Sequence, residues 1–262
     1  MPPGDPAARP TATDVPPLVL LDLDGTLTES GEGIMASSRV VFETLGLPVP
    51  TDAALRTFIG PPLRTNLEGH GVPADRLAEG VRVYRRHYTA VGQHLNRVYD
   101  GVPEALAALR DAGLTLALAT SKLQHNADAI CDRLGLTPYL AGVWGDPDPD
   151  RPIGKAGVIG RALADLGPRR TPGPRWTRMV GDRLHDVEGA AAHGLACLGA
   201  GWGYGPEGEL VAAGAESVVA TPAGLPAAVL ASLAAAGWPG AGGVGRPAGA
   251  RVVEPSPVGA DR

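Results

Sequence analysis

Leu18-Val19-Leu20-Leu21-Asp22-Leu23-Asp24-Gly25-Thr26-Leu27 opens on four apolar residues and runs into two carboxylates two positions apart, followed by a glycine. An unbroken apolar run of this length suits a strand covered on both faces. Period-two geometry puts both carboxylates on one face, and Gly25 lets the chain turn directly afterwards. Similar runs lie at residues 115–119, 142–144, 177–180, 196–198 and 217–219. Between them, Val102, Leu106 and Leu109 share a helical face before Gly113, and Ile130 and Leu134 precede Gly135. This alternation predicts an α/β fold, a parallel sheet with helices on both faces.

Residues 33–96 break the alternation. Ile34, Val41, Phe42 and Leu45 mark one helix, and Leu77, Val81, Tyr84, Tyr88 and Val91 a longer one, with no buried strand between. The expected organisation is a core from residues 17–32 and 97–236, an all-helical insertion at 33–96, and disordered tails at 1–16 and 237–262. The last tail is Gly, Pro, Ala and Val without period, too poor in buriable surface to offset its ordering entropy.

A chain of 262 residues can bury a full core without disulfides or a structural metal. Its 28 acidic and 23 basic residues give a net charge of -5 with no basic block, which argues against a nucleic acid polymer or an anionic membrane as partner. Cys131 and Cys197 lack Cys-x-x-Cys spacing and read as buried, reduced thiols. No apolar window reaches the ~18 residues of a membrane span, and the N-terminus lacks a signal-peptide pattern, so a soluble cytoplasmic protein is expected.

Four elements carry chemistry. Asp22 and Asp24 combine a carboxylate able to attack phosphorus with a second able to move a proton, although Asp and Gly also form ordinary turns. Met179-Val180-Gly181-Asp182-Arg183-Leu184-His185-Asp186 ends a strand in Asp182, with Asp186 about one helical turn later. With Asp22, Asp182 offers hard oxygen ligands of the kind magnesium takes; the alternative is a helix N-cap. In Leu118-Ala119-Thr120-Ser121-Lys122, Thr120 and Ser121 can donate to phosphate oxygens or cap the next helix. Lys155 is either a solvated charge or a fixed cation beside an oxyanion.

Taken in order, Asp-x-Asp, Thr-Ser, Lys and Gly-Asp-x-x-x-Asp, each at a strand end, resemble the haloacid dehalogenase superfamily over about residues 18–236. Phe58-Ile59-Gly60-Pro61-Pro62-Leu63, Val98-Tyr99-Asp100-Gly101-Val102 and residues 181–190 are similar to its phosphoglycolate-phosphatase-like branch, with a helical cap. The resemblance implies a Rossmann-like core and a magnesium-dependent hydrolase of small-molecule phosphate monoesters, acting through an aspartyl phosphate, as monomer or homodimer. It makes Asp22 the nucleophile and a metal ligand, and Asp24 the acid/base that also offers its carbonyl to the metal. Gly25, Thr120, Ser121 and Lys155 hold phosphate, Asp182 binds metal directly, and Asp186 acts through water or by orienting Lys155. Asp24 argues against the carbon–halogen enzymes of the superfamily, which lack that carboxylate. A phosphomutase and an idle phospho-ligand binding protein stay open as alternatives.

Weaker signals are Arg64, Arg85, Arg86 and His87 in the insertion, where they can meet an anionic substrate or form a solvated face. Gly201-Trp202-Gly203-Tyr204-Gly205 can border the site or be a plain loop. His125, His185 and His193 show no metal-ligand spacing.

Overall fold

The computed structural model describes residues 15–148 and 150–240. Strands are β1 (Leu18–Leu21), β2 (Thr28–Glu29), β3 (Arg97–Val98), β4 (Thr115–Leu123), β5 (Val143–Asp146), β6 (Thr177–Gly181), β7 (Ala196–Ala200) and β8 (Ser217–Val219). Helices are α1 (Gly31–Thr44), α2 (Asp52–Arg56), α3 (Leu63–Gly69), α4 (Leu77–Ala90), α5 (Val102–Asp111), α6 (Gln124–Arg133), α7 (Gly154–Leu166), α8 (Leu184–Ala191), α9 (Glu209–Ala212) and α10 (Leu225–Ala235). A six-stranded parallel sheet has the order β5-β4-β1-β6-β7-β8.

The unbroken apolar runs follow from the sheet's two covered faces. In β1, Val19 and Leu21 join Leu116, Leu118, Val180 and Leu198 in a core closed by α5, α6 and α10. Leu18 and Leu20 join Ala117, Ala119, Met179 and Cys197 under α7 and α8. Alternate residues thus enter opposite cores, and neither can be polar at low cost. Both cysteines are free and buried.

The strand order also selects the site. From β1 the chain fills β4 and β5 on one side, then crosses to β6, β7 and β8 on the other, which leaves a crevice beyond the carboxyl ends of β1, β4 and β6. Two differences from the sequence reading concern this edge. β4 continues through the polar residues Thr120, Ser121 and Lys122 to Leu123, with a register irregularity between Ala119 and Leu123, where an apolar-run criterion stops early. Thr28–Glu29 also pairs antiparallel with Arg97–Val98, a ribbon too short for a periodic signal.

Between β2 and β3 lie α1 to α4, packed on a third apolar cluster of Ile34, Val41, Phe42, Leu45, Leu77 and others. Val91, expected on the long helix's apolar face, falls past the end of α4 and is exposed. The tail expectations lie outside the described residues except for Val15, Pro16 and residues 237–240; there Val15 is buried and Trp238 packs against the core.

Leu20→Ala, at a fully buried position of the central strand, should cost ~2–5 kcal/mol of stability in urea unfolding. A cost near zero would contradict the two-faced burial of β1.

Candidate active site

β1, β4 and β6 bring their polar continuations together. Asp22 follows β1, its backbone N–H donating to Val180 O at 2.9 Å, and its side chain is buried. Asp182 follows β6, and Asp186 sits in the first turn of α8; both are about 1% exposed. Lys155, in the first turn of α7, is buried beside them. Its ammonium lies 2.7 Å from Asp22 Oδ1, 2.7 Å from Asp186 Oδ1, and 3.0 Å from Ala119 O. An ammonium has three N–H donors, and all three have an acceptor. Burial alone would lower the Lys155 pKa, but the charges of Asp186 and Asp22 outweigh it and hold the group above its ordinary value.

Asp22, Asp182 and Asp186 each place a carboxylate oxygen within 4.8 Å of the others. Burial, then the charges of Asp186 and Asp22, push the Asp182 carboxyl well above the usual range. Burial and Asp22 also raise Asp186, against the pull of Lys155. Asp182 Oδ2 accepts from the Tyr204 N–H at 2.8 Å, whereas its buried Oδ1 has no hydrogen-bond partner. Crowded buried carboxylates with an unpartnered oxygen fit a hard divalent cation. Asp186 is the most committed of the three, since its Oδ2 also accepts from the Arg183 N–H at 3.1 Å.

Asp24 stands apart from the trio. Its Oδ2 lies 2.6 Å from Lys122 Nζ, and its buried Oδ1 has no hydrogen-bond partner. Gly25 adopts φ +84°, and a Cβ there would fall on the Asp182 carboxylate. Its N–H donates to Thr28 O at 2.8 Å, so Gly25 contributes room for Asp182 and not a free donor for phosphate. Thr120 is buried, its Oγ1 accepting from the Lys122 N–H at 3.3 Å, and Ser121 is exposed. Neither caps α6, whose N-cap is Leu123, and Asp182 does not cap α8, whose N-cap is Arg183.

The Gly-Trp-Gly-Tyr-Gly loop lies against the site. Besides the Tyr204 N–H, Trp202 Nε1 donates to Thr26 O at 3.0 Å and the Tyr204 hydroxyl accepts from the Gly31 N–H at 2.8 Å. A Cβ on Gly203 would collide with Asp182. Arg64 and Arg86 are exposed, Arg85 donates to Asp150 at 3.2 Å, and His87 Nδ1 lies 3.0 Å from Ser37 Oγ. His193 bonds Ala156 O at 2.7 Å, His185 approaches Glu188 at 3.8 Å and His125 is exposed.

Three contributors escaped the sequence reading. Lys122 pairs with Asp24, and Tyr88 of α4 accepts from Lys122 Nζ at 2.7 Å. Arg183 binds Glu209 at 2.8 Å and the Ile59 carbonyl, which ties the Phe58-Ile59-Gly60 turn to the core. A signal for Lys122 was present: the chain has two lysines, Lys122 and Lys155, among 23 basic residues.

A folded-state pKa above the unfolded one means that the ionised form of Asp182 opposes folding when no cation is bound. Asp182→Asn should raise the melting temperature in chelator at neutral pH, by roughly 2–4 °C per kcal/mol of repulsion removed. It should also abolish the further rise that magnesium gives the parent protein. Thermal unfolding with and without magnesium reads both effects; a variant less stable in chelator and still stabilised by magnesium would contradict the cluster's role.

A family model described as haloacid dehalogenase-like hydrolase matches residues 19–200. Tyrosine-protein kinase PtkA of Mycobacterium tuberculosis is 40% identical over 190 residues, covering 72% of this chain and 64% of that protein, so the chain spans less than two thirds of PtkA. The 5'-nucleotidase of Pseudomonas aeruginosa is 38% identical over 195 residues, 74% of this chain and 86% of that protein. The crystal structure of a predicted phosphatase from Clostridium acetobutylicum matches with a TM-score of 0.76 at 32% identity, covering 83% of this chain and 99% of that one. With the family match over more than half its length, and these likenesses on the same fold, the chain belongs to the haloacid dehalogenase-like hydrolase family.

Proposed function

We propose that the chain hydrolyses phosphate monoesters of small metabolites in two steps through Asp22. The observation that carries this reading is the Asp22 carboxylate itself, buried, held 2.7 Å from Lys155 Nζ and grouped with Asp182 and Asp186. Asp22 and Asp182 would hold magnesium, with the Asp24 carbonyl as a further ligand, while Asp186, engaged by Lys155 and the Arg183 N–H, would act through water or by orienting Lys155. Bound there, the metal would supply positive charge against the phosphoryl oxygens.

In the first step an Asp22 oxygen attacks phosphorus in line. The bond to the leaving oxygen breaks, and that oxygen takes its electron pair and a proton from the Asp24 carboxyl. In the second, Asp24 takes a proton from water as the water oxygen attacks phosphorus, and the Asp22–phosphorus bond returns its electrons to the carboxylate. Lys155 fixes the charge and orientation of Asp22, and Asp186 fixes Lys155. Thr120, with Ser121 and amide groups near it, orients the phosphoryl group. Residues 33–96 act as a cap over the carboxyl edge, where exclusion of water strengthens each of these interactions. Substrate choice then belongs to the cap, and the chain works as a cytoplasmic monomer or homodimer; among the described residues no helix is long and apolar enough to cross a membrane.

A second reading has one observation behind it, the 40% identity to a protein named as a tyrosine kinase. It moves a phosphoryl group from a nucleotide to a phenol instead of to water. A phosphomutase differs likewise in the acceptor, and an idle binding protein would lack turnover altogether.

Phosphate release from a panel of monoesters, with and without magnesium, separates these readings. The parent protein should release phosphate only with magnesium, and Asp22→Asn should lose more than ~10³-fold while keeping its circular dichroism. Full activity in Asp22→Asn, or phosphate recovered on a tyrosine or sugar acceptor instead of free, would overturn the hydrolase.

A further inference from the structure

The polar continuation of β4 carries a second buried ammonium that the two-step scheme does not use. The Lys122 side chain is 7% exposed, and its Nζ lies 2.6 Å from Asp24 Oδ2 and donates to the Tyr88 hydroxyl at 2.7 Å. The same Nζ sits 4.4 Å from the centre of the Tyr88 ring. Tyr88 is fixed in turn, stacked on Tyr84 at 5.7 Å and with its hydroxyl also 3.5 Å from Asn96 Nδ2. All three of these fixing groups come from α4 or the segment just after it.

A buried ammonium needs acceptors, and it orients the groups that supply them. With Oδ2 held by Lys122, Asp24 has one oxygen left to meet a leaving group. That oxygen, Oδ1, is buried and has no hydrogen-bond partner. The geometry differs from that at Lys155, which binds the nucleophile. Here the cation binds the proton donor, and one of its acceptors belongs to α4, between β2 and β3. The chain is otherwise arginine-rich, with its only other lysine at the nucleophile; a compact point charge suits a carboxylate held by one oxygen, where a planar fork favours two.

We propose that Lys122 is the positioning residue of Asp24, turning Oδ1 towards the leaving oxygen, and that Tyr88 completes this arrangement from α4. The assignment rests on the phosphatase reading above. Proton delivery to the leaving oxygen then depends on where α4 lies against the core, so a substrate that keeps α4 away is attacked without its acid in place.

The experiment is a leaving-group series: kcat and KM for aryl phosphates from acidic to weakly acidic phenols, and for an alkyl phosphate, with parent, Lys122→Met, Lys122→Arg and Tyr88→Phe. An acid matters most where the leaving oxygen is most basic. Lys122→Met should therefore lose ~10- to 100-fold more kcat on the alkyl ester than on the nitrophenyl ester, so that rate depends more steeply on leaving-group pKa. Lys122→Arg should recover part of that difference, and Tyr88→Phe should steepen the dependence by less. Equal losses across the series, or none, in the variants that keep their circular dichroism would overturn the assignment while the hydrolase reading stands. Should Lys122→Met not fold, Lys122→Arg and Tyr88→Phe carry the same test. A parent protein inert towards every ester would overturn the hydrolase reading and this assignment with it.

Discussion

Four carboxylates and two ammonium groups share the carboxyl edge of one sheet, and most of their atoms are out of water. Charge does not balance there. Lys155 is divided between Asp22 and Asp186, Lys122 is committed to Asp24, and Asp182 is left with a single backbone donor. Burying an unpaired carboxylate is costly, and a further positive charge bound beside Asp182 would offset that cost. The proposed magnesium site therefore has support in this deficit of positive charge, independently of any relative.

The rest of the molecule sustains that deficit. Two apolar cores grip β1, β4 and β6 from both faces, so the strand ends cannot drift apart to relieve repulsion. Small residues make the approach possible, since side chains at Gly25 or Gly203 would occupy the space of Asp182. The Tyr204 loop closes one side, and its hydroxyl takes the Gly31 N–H at the start of α1. Two contacts then tie the segment between β2 and β3 to the charged edge: Tyr88 on Lys122, and the Ile59 carbonyl on Arg183. Arg183 lies between Asp182 and Asp186 along the chain, and Lys122 two residues past Thr120, so both tethers start beside residues of the site.

Much of this was legible before any coordinates. β1 and the other buried strands announce themselves because both faces are covered, which removes polar residues from the run. Asp22, Asp24, Thr120 and Asp182 stand out because each interrupts or follows such a run, Asp186 because it lies one helical turn after Asp182, and Lys155 because no other lysine follows Lys122. Lys122 was not legible that way. It follows Thr-Ser at a strand end, where a lysine resembles any solvated charge, and its meaning depends on Tyr88, a partner 34 residues earlier. Tyr88 itself looked like core because its ring does pack, and only its hydroxyl faces the site. Two features of Gly25 are likewise tertiary: its N–H is held by Thr28 O, and its missing Cβ leaves room for Asp182. Arg183 reads in the sequence only as a residue between Asp182 and Asp186, while its reach to Ile59 and Glu209 is purely tertiary.

In the proposed hydrolase the phosphoryl group passes onto Asp22. Quenching the enzyme during turnover of a phosphate monoester, then reducing with tritiated borohydride, labels a carboxyl group only where it is held as an acyl phosphate. Tritium is expected on the peptide containing Asp22, dependent on both substrate and magnesium. Label on another carboxylate, or none in a protein actively releasing phosphate and trapped under the same conditions, would contradict it.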